Sequence, residues 1–360
     1  MTTLRQTAEE RTATELEILA QTDTDAKPQG WKLSPQAVLT YILGNTKIKG
    51  IQITPKYIGS RRLVEIAIAT LLTDRALLLV GEPGTAKSWL SEHLAAAISG
   101  DSTKVVQGTA GSTEEQIRYS WNYAMLIANG PSMEAIVKSP VYRAMETGTC
   151  ARIEEISRCV SEVQDALISI LSEKRLSIPE LAQEIPAQKG FCLIATANTR
   201  DKGINEMSAA LQRRFNRVTL PTPPDFETEM EIVKTRLWQQ SKSLSLSAWP
   251  PEDKIIEQVV TVYRELRDGC TMDNRQKVKC PSSTLSTADE ISLLTNAMAL
   301  SASFGNGKIT PEDLASALHG AIIKDETRDL MPYQEYLENV MRKRSDEWTK
   351  LYNACRELIS

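Results

Sequence analysis

Glu82-Pro83-Gly84-Thr85-Ala86-Lys87-Ser88, entered from the apolar run Ala76-Leu77-Leu78-Leu79-Val80-Gly81, sets a glycine, a lysine and a hydroxyl at a spacing suited to phosphate chemistry. A triphosphate needs converging backbone N–H groups, a cation reaching its β and γ oxygens, and a hydroxyl on the accompanying Mg²⁺. Gly84, Lys87 and Ser88 supply these in turn. Ala86 stands where the pattern G-x-x-x-x-G-K-[ST] has its last glycine. Alanine adopts helical dihedrals at little cost, so the exchange is tolerable if Ala86 already belongs to the following helix. Taken alone, the stretch is also compatible with an ordinary strand-to-helix turn that carries a lysine.

Thr149-Cys150-Ala151-Arg152-Ile153-Glu154-Glu155-Ile156 ends a second apolar run with two adjacent acids. Nucleotide hydrolysis needs one carboxylate on the Mg²⁺ hydration shell and another to orient and polarise the attacking water. At a strand end beside the loop, Glu154 would serve the first task together with Ser88, and Glu155 the second. Asp is commoner at the first position, so Glu154 is one methylene longer, a difference that contact through water would absorb. The alternative is a pair of solvated acids beginning a helix Ser157–Leu171, where negative charge is favoured.

Leu193-Ile194-Ala195-Thr196-Ala197-Asn198-Thr199 delivers an amide at a third strand end. Asn198 could meet both the water and the γ-phosphate without neutralising Glu155, although asparagine there is also a common turn former. Ser208-Ala209-Ala210-Leu211-Gln212-Arg213-Arg214-Phe215 ends a helix with two arginines. Arg214, with Arg213, could reach a neighbouring subunit's nucleotide and stabilise charge on the transferring phosphoryl group. Complementing the helix dipole is the plainer role.

The elements that must position these residues are legible as periodicity. Candidate strands Ala76–Val80, Lys104–Gln107, Cys150–Ile153, Phe191–Ala195 and Arg217–Leu220 alternate with helical segments, which predicts an α/β fold with a mainly parallel sheet covered on both faces. Before them, Leu16 to Ala20 has helical spacing, and Ser34 to Leu43 reads as a helix capped by Ser34 with Pro35 at its first position. Pro221-Thr222-Pro223-Pro224 closes the block. Beyond it the pattern is helical: Phe226–Gln240, Ile255–Arg267, Ala288–Ser303, Pro311–Lys324 and Pro332–Leu358. The last of these carries Tyr333, Leu337, Val340, Met341, Trp348, Leu351, Cys355 and Leu358 near one face, a packing surface within its own domain or against a neighbouring subunit.

A chain of 360 residues with net charge −4 and 24% charged residues lacks the basic excess of a dedicated nucleic-acid binder. Its six cysteines show no C-x-x-C pairing and only His93 and His319 could add imidazoles, so buried reduced thiols in a cytoplasmic protein are expected rather than zinc or disulfides. No secretory signal or bilayer-spanning run is expected.

In their order, these motifs resemble the AAA+ ATPases, and specifically the MoxR-like branch related to the magnesium chelatase and minichromosome-maintenance ATPases. The likeness lies in Gly81 to Ser88, in Ser139-Pro140-Val141-Tyr142-Arg143-Ala144-Met145-Glu146 leading to Glu154-Glu155-Ile156-Ser157-Arg158, in Val163-Gln164-Asp165-Ala166-Leu167, and in Ala197-Asn198-Thr199 with Leu211 to Phe215. It covers about Tyr57 to Lys324. The resemblance implies an ATP- and Mg²⁺-binding P-loop domain, with nucleotide contacts from Gly81, Glu82, Pro83, Gly84, Thr85, Ala86, Lys87, Ser88 and Trp89 and from Ile58 and Gly59 upstream. It implies Glu155, Asn198, Arg213 and Arg214 as the catalytic set and Ser88 with Glu154 on the metal. Two inserts are expected to face a pore: Glu114–Val137, carrying Arg118, Tyr119, Trp121, Tyr123 and Met125, and a hairpin at about Arg175–Lys189. Trp121 and Tyr123 could equally pack inside their insert. Ser286-Thr287-Ala288-Asp289-Glu290 lacks the arginine often found at the start of a lid helix, for which Arg275, Lys277 or Lys279 could substitute.

The implied organisation is an N-terminal helical segment at 1–50, a nucleotide-binding core at 51–222, a helical lid at 223–330 and a C-terminal helix at 331–360. The implied activity is that of a ring-forming, hexameric ATPase that remodels a partner protein, with a von Willebrand factor A domain protein as one kind of partner. A DNA translocase and a weakly hydrolysing nucleotide-switch scaffold are the rival readings.

Overall fold

Five apolar runs hydrogen-bond into one parallel sheet, built from β1 (Ala76–Gly81), β2 (Val105–Gln107), β3 (Cys150–Glu154), β4 (Cys192–Asn198) and β5 (Phe215–Leu220) in the order β5-β1-β4-β3-β2. This is a computed structural model, and it describes residues 5–199, 206–244 and 251–359, the side chains of 241–244 and 346 aside. The chain divides into two compact units, Met1–Glu82 with Ala86–Pro221 and Pro83–Thr85 with Thr222–Ser360. Strand side chains alternate between faces, and β1 shows the result. Leu77 and Leu79 join one apolar cluster and Ala76, Leu78 and Val80 the other, so all six residues of β1 are buried. A strand buried on both faces reads as a continuous apolar run, which is why β1 was legible in sequence.

The cluster on the first face is completed from the amino-terminal segment. Helices Ala13–Thr22 and Pro35–Leu43 place Ile18, Leu19, Val38, Leu39, Tyr41 and Ile42 against Leu77, Leu90 and Leu94. Ser34 caps the second helix by accepting from the Ala37 amide at 3.2 Å, with Pro35 at its first position. The antiparallel hairpin Thr46–Ile48 and Ile51–Ile53, turning through Lys49 and Gly50 at positive φ, has no counterpart in the sequence reading, because its strands are three residues long.

Other departures have identifiable causes. The helix expected over Ser157–Leu171 starts only at Ser161, after a short 3-10 turn Ile156–Arg158, because Glu155 takes left-handed backbone (φ 54°) and redirects the chain. The two acids therefore do not begin that helix. The insert contains a small sheet, Tyr119–Trp121 against Ile136–Lys138, around a helix Tyr123–Asn129. Trp121 packs edge-on to Tyr119 at 5.9 Å and against the core, whereas Tyr123 is exposed. The second insert is an antiparallel hairpin, Arg175–Ile178 with Gln183–Pro186.

The described elements of the second unit are helical: Phe226–Leu244, Asp253–Asp268, Thr287–Phe304, Pro311–Ile322, Glu326–Asn339 and Asp346–Glu357. The continuous helix expected over Pro332–Leu358 is broken. It begins earlier, stops at Asn339, passes through the 3-10 turn Met341–Lys343 and resumes at Asp346. At the break Arg344 donates to buried Glu265 at 2.5 Å and stacks on Trp348. The bend lets Tyr333, Tyr336 and Leu337 before it, and Leu351 and Cys355 after it, enter the same apolar core. The stripe thus packs within its own unit, except Leu358, which is exposed. Ser286 caps Thr287–Phe304 through a reciprocal box with Asp289. Of the cations upstream, Lys279 pairs with Glu335 at 2.6 Å and Arg275 lies 3.5 Å from Asp273. Four cysteines are buried, but Cys280 is exposed and Cys270 half-exposed.

Candidate functional site

The carboxyl ends of β1, β3 and β4 lie side by side, since Asn198 is in register with Gly81 and Ala195 with Ile153. Ligands of open parallel sheets bind outside this edge, and the loop after β1, both acids and Asn198 all emerge there. Thr199 donates to the Gly81 carbonyl at 3.2 Å, tying the end of β4 to the start of the loop.

Gly84 takes φ 79°, a conformation that favours glycine. Ala86 differs from its expected state. It is not part of the helix, which runs Lys87–Ser99, but sits at its cap with φ 64° and ψ 24° in the left-handed region. Alanine there carries a cost of about 1 kcal/mol that a glycine would not. Lys87 is buried, and its ammonium donates to the carbonyls of Gly81 at 3.1 Å and Glu82 at 2.6 Å. The lysine is thereby folded back over its own loop.

Glu154 accepts side-chain hydrogen bonds on both oxygens. Oε2 accepts from Ser88 Oγ at 2.6 Å and Thr196 Oγ1 at 2.7 Å; Oε1 accepts from Ser91 Oγ at 2.6 Å and Arg152 Nη2 at 2.7 Å. Burial alone would push this carboxyl up, but Arg152 and the three hydroxyls hold it below the ordinary carboxylate range. Thr196 also accepts from the Glu155 amide at 3.0 Å, so one hydroxyl joins both acids. The Glu155 side chain is half-exposed and meets Arg158 Nε at 2.7 Å. Gly108 donates to the Glu154 carbonyl at 2.7 Å, and a Cβ on it would fall 2.5 Å from the Glu155 carbonyl oxygen, so only glycine fits beside this turn.

The hydroxyl of Ser88 beside a single ionised carboxylate is a hard-oxygen donor set of the kind that suits Mg²⁺, which takes one or two carboxylates plus substrate phosphates rather than an all-protein cage. No group of three or more His, Cys, Asp or Glu able to hold a metal occurs among the described residues.

The remaining candidates lie elsewhere. The Trp89 ring packs at a tilt of 53° against His93, 4.5 Å away, and lies under the Arg11 guanidinium at 4.8 Å. Ile58 is half-buried and Gly59 exposed, in the connection between the hairpin strand Ile51–Ile53 and the helix Arg61–Leu71. Arg213 and Arg214 precede β5, whose first residue is in register with Ala76, the first residue of β1. They therefore sit at the amino edge of the sheet, a strand length of roughly 17–20 Å from the loop. Arg214 donates to Ser172 Oγ at 2.5 Å and to the Ala210 carbonyl, while Arg213 is exposed. One chain alone does not bring these arginines to its own Glu154.

Ser91, Arg152 and Thr196, which the sequence reading did not single out, complete the surroundings of Glu154. Arg152 had a signal, a lone charge inside an apolar strand; the two hydroxyls had none.

The sequence profile of the AAA domain (dynein-related subfamily) matches residues 76–215, and that of the YehL-like AAA+ ATPase C-terminal domain matches residues 227–359. The chain is 41% identical over 353 residues to the uncharacterized protein YehL of Escherichia coli (strain K12), covering 96% of this chain and 95% of the relative. It is 27% identical over 247 residues to the uncharacterized protein SH1500 of Staphylococcus haemolyticus, covering 68% of this chain and 87% of the relative. Among solved structures, NtrX from Brucella abortus in complex with ADP is similar at 12% identity and a TM-score of 0.48, over 84% of this chain and 68% of that one. A likeness of that degree bears on neither chemistry nor assembly. No helix among the described residues is long and apolar enough to cross a membrane.

Proposed function

The chain belongs to the YehL-like AAA+ ATPases, and from that premise we propose that it is a Mg²⁺-dependent ATP-hydrolysing motor, assembled as a hexameric ring of the MoxR type, that remodels a partner protein in the cytoplasm. The observation that carries this reading is the link between Ser88 and Glu154 at 2.6 Å, with Glu155 turned outward from the same strand end. Lys87, released from the Gly81 and Glu82 carbonyls, binds the β and γ oxygens of ATP. Ser88 and Glu154 hold the metal, which when bound neutralises phosphate charge. Glu155 accepts the proton of the attacking water, and Asn198 at the adjacent strand end orients that water against the γ-phosphate. Because Arg213 and Arg214 stand at the far edge of the sheet, they serve a neighbouring subunit's nucleotide, which makes hydrolysis a property of the ring. The exposed helix Tyr123–Asn129, presenting Tyr123 and Ile127, and the hairpin Arg175–Ile178 with Gln183–Pro186 are the surfaces offered to a client, a von Willebrand factor A domain protein being one kind.

The test is ATP turnover of wild type beside Glu155→Gln. Removing a general base is expected to cost about 100-fold or more while nucleotide binding persists. Equal background turnover in both proteins would replace the motor by a nucleotide-binding scaffold.

A further inference from the structure

Arg152 and Glu154 are two residues apart on β3 and share a face of the strand, both buried. A guanidinium inside an apolar strand must be satisfied on every side. Arg152 Nη1 donates to the Ser102 carbonyl at 2.9 Å, Nε to Ser91 Oγ at 3.1 Å, and Nη2 to the Ser88 carbonyl at 3.2 Å and to Glu154 Oε1 at 2.7 Å. Ser91 donates to the same Oε1 at 2.6 Å. The carboxylate is thus divided: Oε1 is committed to Arg152 and Ser91, and Oε2 accepts from Thr196 at 2.7 Å and from the Ser88 hydroxyl that follows Lys87.

We propose that Arg152 is a positioning residue that, with Ser91, pins Oε1 so that Glu154 offers Oε2 alone to the metal of the bound nucleotide, and that glutamate stands where aspartate is commoner because only the longer side chain spans both sets of partners. The inference rests on the nucleotide-hydrolysing reading of this edge. An aspartate would draw the carboxylate back by about one C–C bond, 1.5 Å. Contacts that begin at 2.6 to 2.7 Å on both oxygens would then pass beyond hydrogen-bonding range on one side. With Arg152 present, its buried charge holds the shortened carboxylate inward and the metal-facing side is lost. With Arg152 replaced by an apolar residue, the aspartate is free to turn outward.

A double-mutant cycle tests this. Binding of a fluorescent ADP analogue is measured for wild type, Glu154→Asp, Arg152→Met and the double variant, once with Mg²⁺ and once with EDTA. Each single variant is expected to lose about tenfold in affinity with Mg²⁺, the worth of a charged hydrogen bond. In EDTA all four should agree within about threefold, and with Mg²⁺ the double variant should return to within about threefold of wild type. Losses that simply add in the double variant overturn the pairing. A loss in EDTA as large as that with Mg²⁺ assigns Arg152 a merely structural role and overturns it too. If Arg152→Met does not fold, Ser91→Ala replaces it, with a Mg²⁺-selective loss of about threefold expected and an unchanged affinity overturning the inference. Wild type that binds no nucleotide in either condition defeats the reading of the site itself, whereas wild-type binding with additive losses defeats this inference alone.

Discussion

The hydroxyl of Ser88 donates to Oε2 of Glu154 at 2.6 Å, joining the first turn of the loop helix to the end of the neighbouring-but-one strand. Residues 66 positions apart in sequence meet because the sheet order places β4 between β1 and β3, and β4 contributes Thr196 to the same oxygen. Because Thr196 also accepts from the Glu155 amide at 3.0 Å, the loop helix, Glu154 and Glu155 form one hydrogen-bonded chain.

In the proposed site Lys87 is the cation that meets the phosphates. Lys87→Ala should weaken binding of ATP by more than about tenfold, the loss of charge-assisted contacts to phosphate. Equilibrium titration with a fluorescent analogue measures it, alongside a far-ultraviolet circular dichroism spectrum that stays unchanged. Wild-type affinity in this variant would place the nucleotide elsewhere.

Ala86 carries backbone strain that a glycine would relieve. With φ 64°, Ala86→Gly should raise unfolding stability by about 1 kcal/mol, read as a higher urea midpoint at constant slope. A lower midpoint would mean that the left-handed turn is not populated in solution.

Arg11 fastens the amino-terminal helices to the loop helix. It donates to Glu92 at 3.0 Å and lies over Trp89, and the Glu92 side chain is only 7% exposed, whereas its other partner, Arg5, is 77% exposed. Arg11→Ala leaves a buried carboxylate with a solvated partner and should cost about 2 kcal/mol of stability in denaturant unfolding. An unchanged midpoint would show that water replaces Arg11 without loss.

Glu290 makes stability depend on pH. It is fully buried 3.9 Å from Arg267, and burial, reinforced by the charge of neighbouring Glu229, raises its carboxyl well above the ordinary value of 4.5. Glu229 stays ionised: burial opposes its charge, but Arg267, Thr287 and Arg264 together hold it below the ordinary range. A carboxyl raised on folding binds its proton more tightly in the native state, so the stability it contributes is complete below about pH 4.5 and is lost as pH climbs through the raised value. Glu290→Gln keeps the shape without the titration. Its melting temperature should match wild type in mild acid and exceed it by a margin that grows toward alkaline pH. Parallel curves for the two proteins would show that Glu290 does not change protonation on unfolding.

The sequence by itself determined the strands that matter and the residues at their ends. Apolar runs such as Ala76 to Val80 declare a doubly buried parallel strand, and Gly84, Lys87, Glu154, Glu155 and Asn198 follow such runs directly, so local pattern sufficed. Tertiary structure decided what depends on distant partners. The left-handed state of Ala86 is set by the geometry of the turn rather than by alanine's own preference, and the short hairpin at Thr46 to Ile53 is too brief to show a period. Arg344 meeting Glu265, 79 residues away, accompanies the break in what reads as one long amphipathic helix. The division of the Glu154 carboxylate among Ser88, Ser91, Arg152 and Thr196 exists only once three elements are packed together, and the removal of Arg213 and Arg214 to the opposite edge follows from strand direction in the assembled sheet. Short-range sterics and hydrophobic periodicity act along the chain and are written in it; electrostatic satisfaction of a buried charge acts across the fold and is not.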